Sequence, residues 1–108
     1  MKKLALMLAL AGGPAAAQMI TANELYDICA QTTDVEVAEC YAYATGAHEA
    51  FSDAGRLGGL DKYCPPREAS NAEIPRLFGQ YLRQNQNTAD WGASTVIYLA
   101  LLDAYPCQ

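Results

Sequence analysis

Four cysteines are the residues of this sequence whose type and spacing most directly imply chemistry. The cysteines are Cys29, Cys40, Cys64 and Cys107. They include no C-x-x-C pair, and His48 is the one histidine of the chain, so the sequence provides little support for a zinc site. An even number of cysteines in a small exported domain is typical of a disulfide framework. We therefore predict two disulfide bonds, which would stabilise a chain near the lower size limit for a single core.

The other reactive side chains do not form a catalytic pattern. Ser52 lies four residues from His48 and could touch it on a helix, but a nucleophilic hydroxyl needs a base that a third group holds in place. Glu36 and Glu39 share a helix face as solvated carboxylates, without a predicted cleft around them. No metalloprotease, nucleophile-elbow or dinucleotide-binding motif occurs. We expect a binding protein with no enzymatic activity and no cofactor.

The first seventeen residues have the order of a secretory signal peptide. Lys2 and Lys3 precede an apolar run over 4–11, a Gly-Gly-Pro break and an A-x-A cleavage site that ends at Ala17. The apolar run is too short to cross a bilayer of about 30 Å as a helix. We expect cleavage before Gln18, and a single domain over 18–108 in the bacterial periplasm.

The expected mature chain is strongly acidic. Two of the seven basic residues lie in the signal peptide, which leaves five against twelve acidic ones and a formal charge of −7. Such a charge repels nucleic acid and anionic membranes. No second segment is apolar enough to insert into a membrane. The acidic surface serves solubility and could also attract a basic partner.

Helix-start signals and apolar periodicity predict an all-α fold. Three capping boxes mark helix starts: Thr21 with Glu24, Thr33 with Glu36, and Ser70 with Glu73. The predicted helices cover 22–29, 34–54, 71–84 and 88–105. Gly55 is the expected left-handed cap of the second helix, and Pro106 ends the fourth. These elements predict a small four-helix, up-down bundle stapled by two disulfides.

Apolar side chains recur at helical spacing along three of the predicted helices. On the second helix one face carries Val37, Cys40, Tyr41, Ala44, Ala47, His48 and Phe51. His48 lies at the edge of that face and is expected to be a structural histidine. The third helix would bury Ile74, Leu77, Phe78, Tyr81 and Leu82. The fourth, with a face of Trp91, Tyr98, Leu101, Leu102 and Tyr105, is apolar nearly all round. We expect this helix at the centre of the bundle. The alternative, that it forms half of a subunit interface in a homodimer, remains open on the sequence alone.

The predicted bundle favours one cysteine pairing. The start of the third helix and the end of the fourth would meet at one end, which brings Cys64 near Cys107, and the first two helices bring Cys29 near Cys40. Four cysteines allow three connectivities, so the other two pairings remain open.

Several segments carry a resemblance to a known family. They are Cys40-Tyr41-Ala42-Tyr43-Ala44-Thr45-Gly46, Cys64-Pro65, Tyr81-Leu82 and the terminal Ala100-Leu101-Leu102-Asp103-Ala104-Tyr105-Pro106-Cys107. With these segments the chain resembles the Rap/Tai immunity proteins of bacterial type VI secretion. It departs from their pattern at Ala42, where glycine is usual, and at Tyr105, where phenylalanine is usual. The resemblance implies a helical periplasmic protein, often dimeric, that binds and blocks a peptidoglycan-cleaving amidase delivered by neighbouring cells. The matching positions describe architecture, so they carry over no partner-contact residue.

The segment 55–63 is the one long irregular stretch of the expected mature chain, and we predict it as the partner-facing surface. Loops held by a rigid scaffold carry binding residues more often than regular elements do. Asp53, Leu57 and Asp61 are the candidate contact residues. Two other functions stay open: a periplasmic acid-stress chaperone like the Hde proteins, which loosens as its carboxylates protonate, and an interaction module of an envelope complex.

Overall fold

The computed structural model describes residues 19–108, which form a bundle of four α-helices. Helix α1 spans Ala22–Cys29, α2 spans Asp34–Arg56, α3 spans Ile74–Gln84 and α4 spans Ala93–Ala104. Within the described residues no strand forms, and a single antiparallel bridge joins Thr21 to Gly92. The all-α prediction is confirmed, whereas the predicted signal peptide lies outside the described residues.

Two of the three predicted capping boxes differ from the expected geometry. At α1 the box is complete: the Thr21 hydroxyl accepts from the Glu24 amide at 3.1 Å, and the Glu24 carboxylate accepts from the Thr21 amide at 2.9 Å. At α2 the Thr33 hydroxyl accepts from the Glu36 amide but donates to the Glu36 carboxylate, so that carboxylate does not bond the backbone. At the third site the Ser70 hydroxyl accepts from the Ala72 amide, and the Glu73 carboxylate accepts from the Tyr105 hydroxyl. Only the first box therefore satisfies two orphan backbone amides.

The third and fourth helices begin later than the sequence predicts. A 3-10 turn at Asn71–Glu73 follows the Ser70 cap, and α3 starts at Ile74 because Pro75 belongs in a first helical turn. Before α4, a second 3-10 turn spans Gln86–Thr88. Trp91 therefore lies outside α4 and is 46% exposed, so its predicted place on the helix face is wrong.

The end of α2 also differs from the prediction. Gly55 lies inside the helix, and Leu57 caps it in a right-handed conformation. The left-handed residue is Gly58, with φ of 84°. Gly55 has a different role, because a Cβ built there would lie 3.0 Å from the Cβ of Lys62. The absent side chain lets the following segment pack closely against α2.

Helix α4 is the centre of the core. Five of its side chains are each at most 3% exposed: Ala93, Val96, Ile97, Ala100 and Leu101. These residues do not lie on one narrow stripe of the helix. A helix that is buried on several sides needs no polar face, which explains its almost uninterrupted apolar sequence. The prediction of a central fourth helix is confirmed.

The predicted apolar face of α2 is buried only in part. Cys40 and Ala44 are buried, but Val37 is 52% exposed and Tyr41 is 45% exposed. Helix α2 has 23 residues and is about 34 Å long, about twice the length of α3 or α4. Tyr43 packs against the core while Tyr41, between the buried Cys40 and Ala44, is exposed, so the buried face of α2 is rotated from the predicted one.

Backbone contacts fix the relative directions of α1 and α4. The Ala22 amide donates to the Trp91 carbonyl at 2.8 Å, and the Ala93 amide donates to the Ile20 carbonyl at 2.9 Å. These four residues lie at the starts of the two helices, so α1 and α4 begin at the same end of the bundle.

The other two helices run in the opposite direction. The Tyr105 hydroxyl, after the end of α4, donates to the Glu73 carboxylate before the start of α3. Along α2, the Phe51 ring packs on Tyr98 of α4, while His48 lies near Tyr105. The order is thus up, down, down, up, which modifies the expected up-down order, and the connection between α2 and α3 must cross the length of the bundle.

Both favoured disulfides form. Cys29 and Cys40 join the end of α1 to the first half of α2, and Cys64 and Cys107 join the crossing segment to the C-terminus. No cysteine within the described residues is free. The second bond fixes the crossing segment where it reaches the end of α4.

Candidate partner-binding surface

The segment that follows α2 forms a projecting tip, residues 57–60, between two anchored stretches. The Leu57 amide donates to the Asp53 carbonyl at 3.0 Å, and the Gly59 amide donates to the Ala54 carbonyl at 2.8 Å. These bonds satisfy the last carbonyls of the helix, while the left-handed Gly58 turns the chain back. The tip is therefore a direct continuation of a rigid helix.

The chain that leaves the tip is anchored on α2 and α4. The Tyr98 hydroxyl donates to the Asp61 carbonyl at 2.8 Å. Tyr63 is buried, and its phenolic oxygen lies 2.8 Å from Nδ1 of His48. Burial raises the pKa of the Tyr63 phenol. The Cys64 amide then donates to the Tyr105 carbonyl, next to the disulfide. Both ends of the tip are thus held by fixed contacts.

The three predicted contact residues lie close to this tip along the chain. Leu57 is 87% exposed, the highest value among the large hydrophobic side chains of the described residues. Asp53 precedes it by one helical turn and forms an ion pair with Arg56. Asp61 is exposed on the returning side. The pairing with Arg56, together with Lys62 beside Asp61, offsets part of the negative charge of this surface.

Sequence reasoning missed Leu60 as a candidate contact residue. It is 39% exposed on the other side of the glycine pair from Leu57. The pattern Leu-Gly-Gly-Leu could have indicated it, because two leucines around a tight turn project from the same tip. An exposed apolar pair on a rigid support is typical of a protein-binding surface.

The residues considered for catalysis have structural positions. Nδ1 of His48 lies 2.8 Å from the Tyr63 hydroxyl, so the side-chain partner of His48 is Tyr63 rather than Ser52. This contact is the kind expected of a structural histidine. Within residues 19–108 no group of three His, Cys, Asp or Glu side chains could hold a metal ion. In the same range no helix is long and apolar enough to cross a membrane.

Comparison with known proteins identifies the family. A family model described as Rap1a immunity proteins matches residues 21–107, from the cap of α1 to the last cysteine. No curated protein and no solved structure matches the chain. The match covers nearly all of the described bundle, both disulfides and the tip. It confirms the resemblance to immunity proteins seen in the sequence. The chain therefore belongs to the Rap1a immunity protein family.

Proposed function

We propose that this protein is a periplasmic immunity protein that binds and inhibits a peptidoglycan-cleaving amidase delivered by type VI secretion. Membership of the Rap1a immunity family supports binding to an effector protein. The signal-peptide pattern of residues 1–17 and the pairing of all four cysteines support an oxidising compartment outside the cytoplasm.

The observation that carries the proposed binding surface is the exposed Leu57 on a tip fixed at both ends. Binding an anchored loop costs little conformational entropy, because the loop is already ordered before the partner arrives. Leu57 would enter an apolar pocket of the effector, with Leu60 beside it. Asp53 and Asp61 would lie at the rim, where charges act mainly on the association rate.

The test uses the protein encoded by the neighbouring gene, purified as the candidate effector. Association and dissociation rates are measured at two salt concentrations for the parent and for the triple variant Asp53→Asn, Leu57→Ala, Asp61→Asn. We expect faster dissociation from loss of the apolar side chain and weaker salt dependence from loss of the charges. Inhibition of peptidoglycan cleavage should weaken in parallel.

A matched control variant carries the same kinds of substitution at exposed residues away from the tip. Asp27→Asn, Val35→Ala and Asp90→Asn remove the same charges and the same kind of exposed apolar side chain. This control should bind like the parent. Unchanged rates in a folded tip variant would remove the tip from the interface, and no binding by the parent would remove that effector as the partner.

A homodimer is part of the proposal, because the exposed Val37 and Tyr41 of α2 offer an apolar area that a second copy could cover. Sedimentation over a wide concentration range tests it. A monomer at all concentrations, in the parent and in Tyr41→Ala alike, would rule out this dimer.

A further inference from the structure

A groove between α1 and α3 combines apolar walls with two arginines. It has two adjoining parts, of about 280 Å³ and about 290 Å³, and Tyr26 and Arg83 line both of them. Phe78 and Gly79 line the first part together with Arg76. No aspartate or glutamate is among the residues that line either part. The groove is therefore apolar and positively charged in a chain that is acidic.

The two arginines are spaced regularly along one face of α3. They are seven residues apart, which is two helical turns and about 10 Å along the axis. Gly79 lies between them on the same face. A Cβ built on Gly79 would lie 3.5 Å from the Tyr26 ring and 3.3 Å from Nη1 of Arg83. The missing side chain thus leaves room for the Arg83 guanidinium and the Tyr26 ring to lie close to the helix backbone at this point.

Neither arginine is fully engaged within the described residues. Arg83 donates to the Tyr26 hydroxyl at 3.3 Å and forms no ion pair there. Arg76 is 4.0 Å from the Glu73 carboxylate, which already accepts a hydrogen bond from Tyr105 at 3.0 Å, and Nη1 of Arg76 donates to the Gln80 side-chain oxygen at 3.5 Å. A guanidinium has five donors, and its planar fork matches a carboxylate. Both groups therefore keep donors available for a ligand.

We propose that this groove binds an acidic peptide segment of a partner protein. One carboxylate of the peptide would bond Arg76 and a second would bond Arg83. An apolar side chain of the peptide would pack on Tyr26 and Pro75, which are half-buried and line the first part of the groove. A peptide fits better than a nucleic acid, because the negative chain repels a long polyanion more strongly than a segment with two carboxylates, and Tyr26 and Pro75 add apolar walls. The groove shares no lining residue with the tip at 57–60, so this is a second binding surface.

The test uses a labelled helical peptide with two glutamates seven residues apart and leucines between them. The control peptide has glutamine in place of both glutamates. Binding is measured by fluorescence anisotropy at low and at physiological ionic strength. We expect the parent to bind the diglutamate peptide, and Arg83→Gln and Arg76→Gln each to weaken that binding by about tenfold, the value of one charged hydrogen bond.

Arg67→Gln is the matched control, because it removes the same charge from an exposed residue that does not line the groove. It should change the affinity by less than about twofold. Circular dichroism checks that each variant is folded. No binding by the parent, equal binding of the glutamine peptide, or an equal loss in Arg67→Gln would each overturn the proposal. Equally tight binding of free glutarate would also overturn it, as adventitious anion binding. None of these results depends on whether the neighbouring effector binds.

Discussion

Leu101 tests whether α4 is the centre of the fold. Its side chain is 0% exposed, so Leu101→Ala removes three carbon groups from a fully buried position. Transfer of those groups costs about 2.4 kcal/mol, at about 0.8 kcal/mol each. A residual void of about 60 Å³ would add about 1.5 kcal/mol, because helix ends tied by disulfides cannot collapse freely around it. We expect a total loss of about 4 kcal/mol.

Urea denaturation with the disulfides intact measures this loss from the midpoint and slope of the transition. Leu57→Ala is the matched control, since the same change at a side chain that is 87% exposed should alter the free energy of unfolding by less than about 0.5 kcal/mol. A loss below about 1 kcal/mol for Leu101→Ala would refute a central α4. If the parent's stability rose steeply with protein concentration, part of its stability would come from a dimer.

Three further outcomes are expected. On the chain-entropy model, replacing the Cys64–Cys107 pair with serines should lower the free energy of unfolding by about 4 kcal/mol, and replacing the Cys29–Cys40 pair should lower it by about 3 kcal/mol. The thermal midpoint should therefore fall further when the disulfide of the longer loop is removed. The reverse order would contradict that model. Because the pKa of Tyr63 is raised in the folded state, the neutral phenol stabilises the fold below its ordinary pKa of 10.0, and this stabilisation is lost as pH rises through the folded pKa. The free energy of unfolding should therefore fall less between about pH 9 and about pH 11 in Tyr63→Phe than in the parent. Gly79→Ala should raise the free energy of unfolding by up to about 1 kcal/mol, because Arg83 can move away from the added methyl group. A loss of stability on urea titration would instead indicate that Arg83 is held in place.

Local chemistry made much of the secondary structure predictable. Helix α1 begins after the Thr21–Glu24 capping box and ends at Cys29, as predicted. The capping box is a reliable signal because it depends only on residues within one turn. Cys40 was correctly placed in the core by helical spacing alone. The pairing of Cys64 with Cys107 was predicted because α3 and α4 were expected to be antiparallel. They are antiparallel in the structure, although α1 and α4 run in the same direction.

The boundaries that were wrong depend on contacts between distant segments. Gly55 looked like a helix cap in the sequence, but the close approach of Lys62 is what requires a glycine there. Trp91 had the spacing of a helical face, yet α4 begins only at Ala93, where a backbone bond to Ile20 fixes its start. Val37 and Tyr41 are exposed while Tyr43 packs against the core, and the neighbouring helices decide which side of α2 they cover, which periodicity within α2 cannot report.

The sequence by itself determined the fold class, the disulfide framework and a candidate contact residue, Leu57, because composition, capping and cysteine spacing are local or countable properties. The tertiary structure decided the direction of α3, the rigidity of the tip at 57–60 and the meeting of Tyr26 with Arg83 across the groove. These features need residues far apart in the chain to come together. Such contacts form only when the free energy of burying the whole core offsets the entropy of closing the connecting loops, and no short segment records that balance.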